Sequence, residues 1–204
     1  MPHSLIIGMT GSGKSTLAKM ICQSAKGKVK TCVLDPVHDP DWQADFQTSD
    51  SEEFLSYVRR ERSHLCFIDE GGQSIGRYNR PMEWTATTSR HLGHSVYYIL
   101  QGASQVMPII RSNCERAYLF ACDPTIIDVV SREFAEPVIR DRPRLEKFEF
   151  YCLSKFEEVK LGRIDLEKRE VNIVPLSTQK FPAESKAENG IKDGDLLVGT
   201  DVAS

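Results

Sequence analysis

Apolar and polar positions along the first two-thirds of the chain alternate between short β-rich runs and longer helical faces. Residues 3–8 read as a strand, and 13–25 as a helix with Leu17, Met20 and Ile21 on one face. "KVKTCVLD" (28–35) predicts a second strand, and "SEEFLSYVRRE" (51–61) a helix with a serine cap and early acids. "HLCFIDE" (64–70) is a third strand. Pro81 opens a helix expected to run to about His91 and to stop at Gly93. "SVYYILQ" (95–101) and "ERAYLFAC" (115–122) are the fourth and fifth strands. "DPTIIDVVSREF" (123–134) is a helix capped by Asp123, with Pro124 in its first turn. Five apolar runs separated by helices predict an α/β fold: a mostly parallel sheet covered on both faces, with its ligand at the carboxyl ends of the strands.

From residue 147 the rhythm changes. "KFEFYCLS", "EVKLGRIDL" and "EVNIVPL" predict two or three antiparallel strands joined by charged turns. Residues 1–146 form the expected core, 147–176 a C-terminal antiparallel β appendage of the same domain, and 177–204 a polar tail. The tail is expected to be mobile, with an apolar docking segment at Leu196–Val198. No internal repeat is visible.

The 204-residue chain has a formal net charge of −3, which argues against a protein that coats nucleic acid over its whole surface but leaves room for a local basic patch. No apolar run approaches the length of a membrane span, and no secretory leader is evident. The six cysteines (Cys22, Cys32, Cys66, Cys114, Cys122 and Cys152) include no C-x-x-C pair and sit mostly in apolar runs, so buried free thiols in a cytosolic protein are expected.

Candidate chemistry is concentrated at the end of the first strand. Gly8-Met9-Thr10-Gly11-Ser12-Gly13-Lys14-Ser15 fits G-x-x-x-x-G-K-[ST], with a strand before it and a helix after, and Thr16 continues the loop into that helix. Glycines let backbone N–H groups turn toward phosphates without Cβ clashes, and the helix adds its positive end. Lys14 is placed for the β- and γ-phosphates, and the Ser15 hydroxyl for Mg²⁺. Asp69, at the end of the third strand, supplies the carboxylate for the magnesium shell. Glu70, next in sequence, is the candidate base that accepts a proton from an attacking water, a pairing that favours hydrolysis over transfer to a substrate hydroxyl. If the third and fourth strands are neighbours, Gln101 emerges beside Asp69 and Glu70, where its amide reaches both γ-phosphate and water.

Five arginines (Arg77, Arg80, Arg90, Arg111 and Arg116) stand against two glutamates between Gly71 and Arg116, with His91 and His94 alongside. As a group they suit an arginine finger on a neighbour's γ-phosphate or contact with a nucleic-acid backbone. Arg90 is the preferred finger and Arg111 the second choice. "HDPDW" (38–42) reads as a turn with local Asp hydrogen bonds in preference to a metal site.

The phosphate loop, the strand ending Asp-Glu and the strand ending in Gln together resemble the FtsK/HerA superfamily of P-loop ATPases. The run "SRHLGHSVYYILQGASQVMPIIRSNC" is similar to the viral DNA-packaging branch. The resemblance covers roughly residues 3–135. It implies a three-layer RecA-like core, ATP and Mg²⁺ as ligands, and Lys14, Ser15, Asp69, Glu70 and Gln101 in the roles just given. It further implies a homo-oligomeric ring, a pentamer or hexamer, that drives double-stranded DNA into a preformed capsid in the host cytoplasm or virion, with a capsid or portal-vertex protein as partner. A virion-morphogenesis or secretion ATPase of the same superfamily, a nucleoside or nucleotide kinase and a non-hydrolysing nucleotide-bound module are the alternatives.

Overall fold

The structure is a computed structural model that describes residues 2–69, 80–102, 107–140 and 145–176, with Arg80 described by its backbone alone. Its centre is a nine-stranded sheet in the order β3-β2-β4-β5-β1-β6-β7-β8-β9. The strands are β1 (His3–Ile7), β2 (Thr31–Leu34), β3 (Phe46–Thr48), β4 (Leu65–Ile68), β5 (Ser95–Leu100), β6 (Cys114–Phe120), β7 (Glu149–Ser154), β8 (Lys160–Asp165) and β9 (Glu170–Pro175). The first six are mutually parallel. The last three run antiparallel and continue the same sheet beyond β6.

The parallel strands are apolar throughout because both faces are covered. On β1, Leu5 and Ile7 enter one core with β2, β4 and helix α2 (Ser51–Arg60), while Ile6 enters the other with helix α1 (Lys14–Ala25). Helix α2 contributes Phe54, Leu55 and Val58 to the first core, and α1 contributes Leu17, Ala18 and Ile21 to the second. Two further helices lie on the α2 side: α4 (Pro108–Asn113), through Ile110, and α5 (Pro124–Glu133), through Val130. The result is the expected α/β three-layer arrangement.

Several local readings change. Helix α2 is capped by Asp50, whose carboxylate accepts from the N–H groups of Glu52 (2.7 Å) and Glu53 (3.0 Å), so Ser51 is its first helical residue and not its cap. The Asp123 cap on α5 is as expected, accepting from Thr125 N–H at 2.8 Å. The single helix expected from Pro81 is broken into a 3₁₀ turn (Arg80–Glu83), the short helix α3 (Trp84–Thr87) and a second 3₁₀ turn (Ser89–Leu92). Buried hydroxyls there bond back to the main chain, Thr85 to Met82 O and Ser89 to Thr85 O, and such bonds compete with a regular ladder. Gly93 does terminate the segment. Edge strand β3 and helix α4 have no counterpart in the sequence reading.

Candidate functional site

The connection from β1 to α1 is pinned on both sides by neighbouring strand ends. Gly8 N–H donates to Leu100 O (3.2 Å) at the end of β5, and Met9 N–H donates to Ala121 O (2.8 Å) just past β6. Gly11 and Gly13 take φ of 77° and 118°, a backbone region open to glycine and strained for other residues. A Cβ on Gly13 would also lie 2.8 Å from Phe148 Cδ1. The loop leads into the first turn of α1, and Lys14 Nζ donates to Met9 O at 2.9 Å.

A cavity of about 240 Å³ opens beside this loop, lined by Thr10, Gly11, Lys14, Ser15, Asp69 and Gln101 among others. Residues separated by nearly 90 positions in sequence therefore face one space. The topology explains how. β5 lies between β1 and β4, with Ile7 paired to Leu100 and Ile68 to Tyr98. Gln101 thus leaves the strand that separates the phosphate loop from Asp69, and β4 and β5 are neighbours as the sequence argument required. Asp69 is half-buried, held by its N–H donating to Leu34 O at 2.9 Å. The Ser15 hydroxyl and the Asp69 carboxylate are hard oxygen donors of the kind Mg²⁺ takes beside substrate phosphates, so the residues present fit that ion. Glu70 and Arg77 lie outside the described residues.

The sequence reading missed a further wall of this cavity, the loop after β2. Asp35, Val37 and Asp39 line it. Buried Asp35 accepts from Val37 N–H (2.9 Å) and Asp39 N–H (2.6 Å), which folds the loop back on itself. Asp39 caps the 3₁₀ turn Pro40–Trp42 by accepting from Asp41 N–H at 2.9 Å. That is the local Asp turn read from "HDPDW". Lys19 on α1 pairs with Asp39 and, at 3.8 Å, with Asp41, tying the loop to the phosphate-binding helix. The Lys19 hydrogen bond, then the Asp41 N–H, hold the Asp39 carboxyl below its ordinary range. The only signal in sequence was two acids following a strand end.

Among the described residues, Arg90, Arg111 and Arg116 do not line this cavity. Arg90 Nη1 lies 2.9 Å from Glu115 Oε1, and Nη2 donates to Asn113 O at 2.8 Å. These groups stand at the amino ends of β5 and β6, a strand length from the phosphate loop, about 20 Å at about 3.3 Å per residue. Arg90 therefore does not reach the nucleotide cavity of its own subunit. Arg111 sits on α4 at the same end and faces Glu133 at 3.7 Å. Arg116 faces Glu157 at 3.7 Å. His94 is buried, not part of a surface patch: its Nδ1 accepts from His64 N–H (3.1 Å) and its Nε2 bonds to Val58 O (3.0 Å), linking β4, β5 and α2. His91 is exposed. All six cysteines are free, four of them buried.

Comparison with known proteins agrees with this fold. Residues 1–61 match the family described as helicase HerA, central domain. The fold is similar to the genome packaging NTPase B204 from Sulfolobus turreted icosahedral virus 2 in complex with AMPPCP, with a TM-score of 0.62, 14% identity, and 86% of this chain and 98% of that chain covered. The chain has the fold of the RecA-like P-loop ATPases. The DNA-packaging ATPase B204 from Sulfolobus Turreted Icosahedral Virus is similar to this chain at a TM-score of 0.59 and 14% identity, over 86% of this chain and 98% of that one. The ATPase 2 and 3 segment of EccC from Thermomonospora curvata is similar at a TM-score of 0.57 and 14% identity, over 78% of this chain and 36% of that one. No curated protein matches by sequence. Among the described residues no helix is long and apolar enough to cross a membrane.

Proposed function

We propose that the chain is an Mg²⁺-dependent ATPase that translocates double-stranded DNA, in a viral genome-packaging motor. The observation that carries the reading is the shared cavity of Lys14, Ser15, Asp69 and Gln101 at the carboxyl end of the sheet. Backbone N–H groups of the phosphate loop beyond Met9 hold the triphosphate. Lys14 leaves Met9 O for the β- and γ-phosphates. Ser15 and Asp69 would hold Mg²⁺, which would supply positive charge to the phosphates during transfer. Glu70 takes a proton from a water whose oxygen attacks the γ-phosphorus. Gln101 orients that water, and ADP and phosphate leave.

Arg90 acts, in this reading, across a subunit interface in a pentameric or hexameric ring, because it stands a strand length from the cavity of its own chain. Ring assembly is what allows the amino-end surface of one copy to approach the carboxyl-end cavity of the next. A capsid or portal-vertex protein is the docking partner, and the host cytoplasm or the virion is the setting. The likeness to B204, whose length the chain nearly spans, favours packaging over secretion.

The test is the ATP hydrolysis rate against protein concentration, with and without double-stranded DNA, beside a mass measurement of the assembled species. A rate per subunit that rises with assembly and with DNA is expected. A monomer with DNA-independent turnover at every concentration overturns the motor. Phosphate transferred to a nucleoside instead of released would make it a kinase.

A further inference from the structure

The phosphate loop has two flanks, and the catalytic groups occupy one. Asp69 and Gln101 lie on the β4/β5 side, so the γ-phosphate end of a bound chain points that way. The other end must leave over the β6/β7 side. Lining that side is the turn that leads into β7, where Lys147 and Phe148 sit.

Phe148 is held in a conformation that its side chain disfavours. Its φ is 69°, a region costly for a bulky residue and accessible to glycine or asparagine at far less cost. Two backbone bonds impose it: Phe148 N–H donates to Ser12 O of the phosphate loop, and Ile164 N–H in β8 donates to Phe148 O, both at 3.0 Å. If the position served only to tie β8 to the loop, the backbone alone would suffice. What the strain secures is an aromatic ring against Gly13, where a Cβ would come within 2.8 Å of Cδ1. The ring is half-buried, and exposed Lys147 carries its ammonium 4.9 Å from the ring centroid.

We propose that Phe148 and Lys147 form the nucleoside-recognition element of this site. The base of a nucleoside triphosphate stacks on the Phe148 ring, and the Lys147 ammonium swings from that ring to the rim of the base or the α-phosphate. The inference rests on the nucleotide reading above and adds what holds the end of the ligand remote from the chemistry. Aromatic stacking uses the face of a base and not its hydrogen-bonding edge, so this element binds any nucleoside triphosphate better than a bare polyphosphate.

Isothermal titration of the full chain with ATP, and separately with inorganic tripolyphosphate, tests it in wild type, Phe148→Leu, Phe148→Tyr and Lys147→Ala. Leucine keeps most of the packing on Gly13 but removes the ring. Expected is about a tenfold loss of ATP affinity in Phe148→Leu, with tripolyphosphate affinity within twofold of wild type and ATP affinity restored in Phe148→Tyr. Lys147→Ala should weaken ATP by about threefold. Equal losses for ATP and tripolyphosphate would show that Phe148 merely supports the loop, and unchanged ATP affinity in Phe148→Leu would show that it makes no contact; either overturns the inference. Wild type binding tripolyphosphate but gaining nothing from the nucleoside would overturn it while leaving the phosphate site standing. Wild type binding neither ligand would sink the nucleotide reading itself.

Discussion

The Arg90 guanidinium is 2.9 Å from Glu115 Oε1, at the amino ends of β5 and β6 and a strand length from the phosphate loop of the same chain. Arg90 is exposed, so the pair contributes roughly 0.2–1 kcal/mol to folding. Arg90→Ala should therefore fold with nearly wild-type stability in urea. Under conditions where the protein is assembled, it should hydrolyse ATP at least ~100-fold more slowly, given the magnitude of trans-acting arginines. An assembled Arg90→Ala protein that turns over at the wild-type rate removes Arg90 from the mechanism.

Lys14→Ala and Glu70→Gln separate binding from chemistry. Loss of the ammonium should weaken ATP and abolish turnover. Loss of the carboxylate base should leave ATP affinity within a few-fold while lowering kcat by about 10²–10⁴. Gln101→Ala is expected to lower kcat with little change in KM. Steady-state kinetics beside equilibrium binding checks all three. A Glu70→Gln enzyme with full kcat would place the base elsewhere.

Gly11 and Gly13 make a graded pair. At both, alanine meets a left-handed backbone, a cost of about 1–3 kcal/mol. A Cβ at Gly11 meets open space, whereas at Gly13 it collides with the Phe148 ring 2.8 Å away. Gly13→Ala should therefore lower stability in urea by more than Gly11→Ala and should displace the turn before β7. Equal destabilisation by the two would mean that the Phe148 contact is slack.

His3 supplies a pH dependence. It is buried, its Nδ1 accepts from Val96 N–H at 3.1 Å, and burial first, then the Arg90 charge, lowers its pKa from 6.5 to about 3. The unfolded chain therefore takes up this proton near pH 6.5 and the folded chain does not. Stability is fully present above the unfolded value and falls as pH drops toward the folded one. Between pH 7 and pH 5 the loss from this group is about 2 kcal/mol. His3→Asn, which keeps an acceptor without the titration, should flatten that limb in urea melts taken across the range. An unchanged pH slope would show that His3 ionises freely in the folded state.

A second cavity, of about 290 Å³, lies away from the phosphate loop. It lies over β6–β9 and is lined by Arg116, Tyr118, Glu157 and Lys160. Its charges are matched locally, with Lys160 to Glu157 at 2.7 Å and Arg116 to Glu157 at 3.7 Å. The cavity beside Lys14 instead brings Ser15, Asp69 and Gln101 together.

Much of the fold could be read from local pattern because a buried parallel strand has to be continuously apolar and a phosphate loop needs its glycines and lysine in consecutive positions. β1, β2, β4, β5 and β6, helices α1, α2 and α5, and the loop of residues 8–16 all fall where those constraints apply. Asp69 was legible because a carboxylate ends an apolar strand, and Gln101 because an amide does the same.

Elements and roles that depend on distant partners were not legible. Three-residue β3 is a strand only because β2 is there to pair with it. The segment of residues 80–92 has helical composition, yet buried Thr85 and Ser89 bond to its main chain and divide it. His94 looks in sequence like a member of a basic patch, and burial between β4, β5 and α2 makes it a structural tie.

By itself, the sequence determined that a phosphate-loop motif follows the first strand and that a carboxylate and an amide end two later strands, since each rests on neighbouring residues and local geometry. Only the tertiary structure decided that β5 lies between β1 and β4, which gathers Lys14, Asp69 and Gln101 into one cavity and leaves Arg90 at the far end of the sheet. The same packing sets Phe148 on Gly13. Strand order and the position of a turn arriving 135 residues after that glycine arise from long-range pairing and burial, and local propensity carries no record of them.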